Sequence, residues 1–268
     1  EEFEVNRSDF SVQYNQKLLK FDVIFNVIHG TPGEDGLLQA YFQLLGLKQT
    51  SCDFYQAALT FNKRDLLSVL KPYGIKTAKS YYLNLGDVIA TDKIIAQVGL
   101  PCFVKPNRSG SSFGISKVHT LDELLPAIEK AYAEDDEIII ESYLKGTEVS
   151  VGVIKYQNET IVLPMTEIVS ENDFFDYEAK YLGKSQEITP ARISEEIKVK
   201  VEEAAKKAYK VLQMKGFSRS EFIIVDGEPF MLEMNTIPGM TNESILPQQA
   251  KAAGITMKDL LTNAIEQA

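Results

Sequence analysis

The residues best suited to phosphate chemistry lie between Lys105 and Gly114. The run Lys105-Pro106-Asn107-Arg108-Ser109-Gly110-Ser111-Ser112-Phe113-Gly114 follows an apolar stretch and carries two glycines and three serines. Backbone N–H groups of such a loop can converge on an anion, and Lys105, one residue before a rigid proline, answers its charge. The run matches neither GxxxxGK[ST] nor GxGxxG, which argues against P-loop and Rossmann nucleotide sites. Taken alone, it reads equally well as a solvated turn. Glu141 and Glu148 bracket the segment from Ser142 to Thr147. An acid there can accept hydrogen bonds from an amino group or ribose hydroxyls, while Tyr143 and Leu144 wall an apolar slot for a purine. As an isolated feature, two exposed acids flanking a hinge is the simpler reading. A third group is more specific: Glu233 and Asn235 stand two apart on a strand-like run, so both point to one face. With Glu221 on the partner strand they form a platform of hard oxygen ligands suited to Mg²⁺ bridging triphosphate oxygens. Polar alternation on a sheet with one wet face competes with that reading. The adjoining turn Thr236-Ile237-Pro238-Gly239-Met240-Thr241 weakens the competitor, because it leads backbone N–H groups past the same place.

The elements that must position these groups read as alternating strands and helices. Phe21 to Ile28 predicts a strand, followed by the glycine-rich turn His29 to Gly36 and a helix from Leu37 to Leu45 that ends near Gly46. Asn62 to Leu70 predicts a helix, Ala78 to Leu83 a strand, Thr91 to Val98 a short helix stopped by Gly99, and Pro101 to Pro106 a buried strand. Thr120 caps a helix over Leu121 to Ala133, and Glu137 to Tyr143 follows as a strand. Glu148 to Tyr156 and Thr160 to Ile168 alternate as a hairpin around Asn158-Glu159. Ser194 to Met214 predicts a long helix, with Ser194 as the cap but without the acid that would complete a capping box. Ser220 to Val225 and Pro229 to Glu233 predict a hairpin around Asp226-Gly227, and the chain closes on helices, the last near Met257 to Ala268. No internal repeat or low-complexity tract is present.

A chain of 268 residues, 44% hydrophobic and 25% charged, has the composition of a globular protein of two or three small lobes. Its formal charge of −10, from 28 Lys+Arg against 38 Asp+Glu, argues against a generic nucleic-acid or anionic-membrane surface. Cys52 and Cys102 stand far apart, with no CxxC pair and no secretory leader, and read as buried thiols of a cytoplasmic protein. No apolar run approaches the roughly 20 residues of a membrane-spanning helix, so no membrane insertion is expected. The chain opens on Glu1, and one strand with one helix cannot close a layered α/β lobe. Either that first lobe is unusually small or the sequence begins inside it.

The basic strand with its serine–glycine loop, the pair Glu141 and Glu148, and the Glu233-Met234-Asn235 strand occur in the order of the ATP-grasp pattern. His29-Gly30 through Gly33-Glu34-Asp35-Gly36, the run Phe175-Asp176-Tyr177-Glu178-Ala179-Lys180-Tyr181 and Asn235 through Met240-Thr241-Asn242-Glu243-Ser244 resemble the D-alanine–D-alanine ligases within that superfamily. The resemblance runs from about Phe21 to the C-terminus and leaves out the family's opening, a glycine-rich loop carrying a substrate-binding glutamate. It implies an α/β fold of α+β lobes, with a partial N-terminal lobe over 1–62, a central ATP-grasp lobe over 63–148 and a C-terminal one over 149–268.

By the same resemblance, Lys63 and Lys105 contact ATP phosphates, Glu141 reads the adenine amino group and Glu148 the ribose, with Tyr143 and Leu144 beside the base. Glu221, Glu233 and Asn235 hold two Mg²⁺ (or Mn²⁺) ions. Lys180 reaches the phosphates from a closing loop, and Arg219 with the Gly239 backbone stabilises the tetrahedral intermediate. Ser111 and Tyr181 form a pair that organises the D-alanine site, Ser244 binds the second substrate's carboxylate, and His29 lies beside the first. Glu221 stands where the family usually has Asp, Phe175 where Tyr is frequent, and Tyr143 where many members have Trp. The implied reaction spends ATP to join two D-alanines through an acyl phosphate, in a cytoplasmic homodimer serving peptidoglycan synthesis. Two alternatives remain at this level. One is a ligase making D-alanyl-D-lactate, against which Tyr181 argues, or D-alanyl-D-serine; the other is a catalytically silent ATP-binding module lacking the upstream segment.

Overall fold

A computed structural model describes residues 3–110, 112–170 and 185–268. The chain opens with three short antiparallel strands, β1 (Val5–Asn6), β2 (Ser11–Tyr14) and β3 (Lys17–Leu19), then β4 (Val23–Ile24), which pairs in parallel with β5 (Lys48–Gln49). Between β4 and β5 lies α1 (Leu37–Leu44). The strand expected over Phe21 to Ile28 is therefore only two residues long. Asn26 ends it: its side-chain amide donates to the Gly33 carbonyl at 2.9 Å and its oxygen accepts from the Ile28 N–H at 3.0 Å, a local turn that competes with the ladder. The opening strands escape a hydrophobic-pattern reading because they are only two to four residues long and their residues are mostly exposed.

Next come α2 (Phe54–Phe61) and α3 (Lys63–Leu70). Asn62 separates them, extended in backbone and capping α3 by accepting from the Asp65 N–H. Helix α2 lacked a sequence signal: Asp53 at its N-cap makes no side-chain capping bond, and its aromatic-rich run suits a strand as well as a helix.

Four strands, β7 (Ser80–Asn84), β8 (Cys102–Pro106), β9 (Ser116–Val118) and β10 (Glu137–Ser142), form an antiparallel sheet in the order β7-β10-β8-β9. Helices α4 (Thr91–Val98) and α5 (Leu124–Tyr132) pack on it around Ile94, Val104, Leu124, Ile128, Ile138 and Ile140. The helix expected from Leu121 starts instead as one 3₁₀ turn, closed by a full capping box between Thr120 and Glu123. Ile139, on the other face of β10, packs into the neighbouring core. With Ile138, Ile139 and Ile140 all fully buried, β10 sits between two cores, and each isoleucine contributes about 1.5–3 kcal/mol by burial.

A larger sheet runs β14-β13-β11-β15-β16-β6, with β12 also on β11. Its strands are β6 (Lys76–Thr77), β11 (Thr147–Tyr156), β12 (Glu159–Val162), β13 (Thr166–Ser170), β14 (Ser185–Ile188), β15 (Phe217–Val225) and β16 (Glu228–Asn235). The hairpin partner expected over Thr160 to Ile168 is split into β12 and β13. Pro164 has no N–H to give the ladder, and the register steps by one residue between Val153↔Val162 and Ser150↔Thr166. Asp226 and Gly227 close the β15–β16 hairpin with φ of 50° and 77°.

One face of this sheet is apolar. Val149, Val151, Val153, Phe222, Ile224, Met231 and Met234 pack under α6 (Glu195–Val211), whose N-cap Ser194 accepts from the Ile197 N–H. The same period of two puts Glu148, Ser150, Arg219, Glu221, Glu233 and Asn235 on the opposite face. Helices α7 (Ile245–Ala252) and α8 (Met257–Glu266) cover one end of that polar face around Ile154, Leu163, Phe217 and Leu246.

Candidate active site

Register builds the centre of the site. Arg219 lies opposite Asn235 and Glu221 opposite Glu233, while Ser150 lies opposite Glu221 on the other flank. A bulge after Glu221 shifts the rest of the β15–β16 ladder, so the four polar residues stay together at one end. The Arg219 guanidinium donates to Glu221 and, at 3.1 Å, to the Ser150 hydroxyl. Burial pulls Arg219 below the usual guanidinium range, and the negative field of Glu233, Glu187, Glu148 and Glu34 opposes that. Glu221 Oε2 is buried, with no hydrogen-bond partner among the described residues.

The four-stranded sheet contributes the second wall. Lys105 Nζ meets Glu141 Oε2 at 2.8 Å, with only 13% and 3% of their side chains exposed. Desolvation works against the Lys105 charge, but Glu141, aided by Glu233 and Glu148, holds its pKa above the ordinary lysine value. Fields from β16 and β11 thus reach a lysine on β8, so the two sheets face one another across the site. Glu141 Oε1 is a second buried oxygen without a partner among the described residues. Tyr143 and Leu144 lie half-buried in the crossover from β10 to β11, with the Tyr143 ring 4.4 Å from Lys117 Nζ.

Lys63 ties α3 to both walls, donating to the Ser109 carbonyl at 2.7 Å and standing 3.5 Å from Glu233. The serine–glycine loop is anchored by buried Asn107, whose side chain donates to Glu137 at 2.7 Å and accepts from the Arg64 N–H at 2.9 Å. Beyond β16, the Asn235 side chain accepts from the Ile237 N–H at 2.8 Å and starts the turn to Gly239. A Cβ on Gly239 would lie 2.7 Å from the Ser244 Oγ, so glycine allows this backbone to run against that hydroxyl. Ser244 Oγ also lies 2.9 Å from Thr241 Oγ1 and precedes α7 as its N-cap. His29 stands at the rim, 3.4 Å from Glu34 Oε1. Its hydrogen bond to Glu34 raises its pKa, burial opposing in part.

Thus Lys63, Lys105, Glu141, Glu148, Arg219, Glu221, Glu233, Asn235 and, at the edge, His29 share one region. Ser111, Lys180 and Tyr181 lie outside the described residues. Sequence reasoning missed three participants. Glu34 stands in the His29 to Gly36 motif, whose spacing assigns it no role. Ser150 looks like any small residue in a strand. Glu187, raised in pKa by burial against the pull of Arg219, lies opposite Ile168 on β14, in the row that begins with Glu148.

The donor set suits a divalent cation: two carboxylates and an amide oxygen on one face, one carboxylate oxygen being buried and, among the described residues, unpartnered. Among the described residues, no three His, Cys, Asp or Glu side chains cluster tightly enough to hold an ion by themselves. Any ion here would need further oxygens from its ligand.

The model of the D-Ala D-Ala ligase C-terminus matches residues 69–266. A D-alanine–D-alanine ligase of Flavobacterium johnsoniae is 74% identical over 99% of this chain and 82% of its own length, and one of Christiangramia forsetii is 62% identical over the same shares. Among solved structures, the VanG D-Ala:D-Ser ligase of Enterococcus faecalis aligns with a TM-score of 0.88 at 38% identity, covering 99% of this chain and 78% of that one. The ATP-bound D-alanine–D-alanine ligase of Bacillus anthracis aligns at 0.81 and 30%, covering 92% and 78%. Two facing sheets with a lysine on one and paired acids on the other agree with these likenesses. The chain belongs to the D-alanine–D-alanine ligase family, has its ATP-grasp fold, and is an ATP-dependent ligase of peptidoglycan synthesis that joins two D-alanines.

Proposed function

We propose that the polar face between the two sheets carries the reaction through D-alanyl phosphate. The supporting observation is the convergence of Lys105, Glu148, Glu233 and Arg219, drawn from both sheets, around one buried set of charges. A carboxylate oxygen of the first D-alanine attacks the γ-phosphorus of ATP and ADP leaves. The amine of the second, having lost its proton, attacks the acyl carbon, and phosphate departs with that carboxylate oxygen. Catalysis is chiefly positioning and charge neutralisation, as in other phosphoryl transfers.

In this reading Lys63 and Lys105 hold the phosphates, Glu141, Tyr143 and Leu144 the adenine, and Glu148 the ribose. Arg219 and the Gly239 N–H meet the oxyanion of the tetrahedral intermediate. His29 attends the first D-alanine, and Ser244 binds the carboxylate of the second. Lys180 reaches the phosphates from its loop, while Tyr181 with Ser111 shapes the D-alanine site and favours an amine acceptor. Glu221, Glu233 and Asn235 would hold two Mg²⁺ (or Mn²⁺) ions, which supply charge neutralisation of the triphosphate when bound. Lobes over 1–62, 63–148 and 149–268, a homodimer and a cytoplasmic location complete the reading. The relatives at 74% and 62% identity favour D-alanine over D-serine as acceptor.

Glu233→Gln tests the metal and phosphate reading. ADP formation should fall at least about a hundredfold while the melting temperature stays near the parent's, since a half-exposed carboxamide keeps the shape of the strand. Turnover near the parent's at saturating Mg²⁺ would refute it.

A further inference from the structure

Gln249 has no counterpart in the chemistry above, yet its side chain is completely buried between α7 and the sheet. Its Nε2 donates to the Ser150 carbonyl at 2.8 Å and to the Thr166 hydroxyl at 3.1 Å. Each acceptor leads somewhere relevant. Ser150 receives the Arg219 guanidinium on its hydroxyl. Thr166 lies 2.6 Å from the Thr189 hydroxyl, so β13 is linked to the segment just past β14. Gly152 makes room for this side chain, because a Cβ there would come within 2.5 Å of Gln249 Oε1. That oxygen is buried without a partner among the described residues. An apolar residue would fill the same space without this desolvation cost, so the amide is not explained by packing alone.

We infer that Gln249 is a positioning residue for the acceptor half of the site: it fixes α7, and with it Ser244 at the helix N-terminus, relative to β11, whose Ser150 hydroxyl receives the Arg219 guanidinium. The inference rests on the reading of Ser244 as the acceptor-carboxylate group. Ser244 precedes the first residue of an eight-residue helix whose buried face includes Leu246, Pro247, Gln249 and Ala250. The three apolar residues resist separation from the sheet but are tolerant of sliding along it. Two directed bonds from one amide to neighbouring strands set the register of the helix, and Ser244 is displaced with any slip.

Two D-alanine subsites give two Michaelis constants, which initial rates over a wide D-alanine range separate. Gln249→Met keeps volume and removes both donors. It should raise the acceptor constant about fivefold or more and leave those for ATP and donor D-alanine within about twofold. Thr166→Val, a milder change, should raise the same constant less, and reads the role even where Gln249→Met folds poorly. A general structural role would instead lower the melting temperature and move all three constants together, or none, and either outcome overturns the inference. Ser244→Ala separates the two levels. If it raises the acceptor constant while Gln249→Met and Thr166→Val do not, Gln249 has no positioning role. If Ser244→Ala leaves that constant unchanged, the subsite reading itself fails.

Discussion

Removing the Lys105 ammonium would strand the Glu141 carboxylate in a place where water barely reaches it, one of its oxygens already lacking a partner. Lys105→Met should therefore cost roughly 3–5 kcal/mol in urea denaturation as well as raise the KM for ATP. Lys105→Met with Glu141→Leu should recover most of the stability and none of the ATP use; a single variant as stable as the parent would contradict the pairing. His29 supplies a pH test. Its pKa is raised in the fold by the Glu34 hydrogen bond. The stabilisation is thus fully present below the ordinary imidazole pKa and is lost as pH rises through the raised value. In the proposed reading His29 attends the donor D-alanine and its proton would answer the donor carboxylate, so kcat/KM for donor D-alanine should fall through that window, and Glu34→Gln should move the fall to lower pH. A profile unchanged by Glu34→Gln would remove Glu34 from this role. The two-residue spacing of Glu233 and Asn235 puts both on one face of a strand, and the hairpin closed by Asp226-Gly227 brings Glu221 beside them. The contact of Lys63 with Glu233 and the hydrogen bond from Arg219 to Ser150 join residues far apart in sequence, which only the strand pairing brings together.

Elements with strong punctuation were legible: α4 between Thr91 and Gly99, α3 behind its Asn62 cap, and the hairpin closed by Asp226-Gly227. Those decided by tertiary contact were not. Strand β4 ends on a side-chain turn at Asn26, and α2 has no capping bond to announce it. The turn between α6 and β15 shows how connections hold such elements in place. Gly216 has φ 64°, its carbonyl accepts from the Tyr209 hydroxyl at 2.9 Å, and a Cβ would collide with the Thr50 carbonyl just past β5. Gly216→Ala should destabilise the fold by more than about 1 kcal/mol, through both the left-handed backbone and the collision. A melting temperature equal to the parent's would show that this turn can relax.

For the molecule as a whole, the two sheets solve one electrostatic problem. Lys105 and Arg219 each sit among several carboxylates, so the site is rich in acid and a bare triphosphate would be repelled from part of it. In the proposed reading, cations arriving with the nucleotide would reverse that balance. Among the described residues no helix is long and apolar enough to cross a membrane, and the formal charge is −10. In the proposed reaction a substrate carboxylate, held between these walls, takes the γ-phosphate before the peptide bond forms. D-alanine labelled with ¹⁸O in both carboxylate oxygens tests it in one incubation with ATP. Mass spectrometry should find D-alanyl-D-alanine and phosphate in equal amounts, with one ¹⁸O in each phosphate; dipeptide accompanied by unlabelled phosphate would contradict the acyl phosphate route.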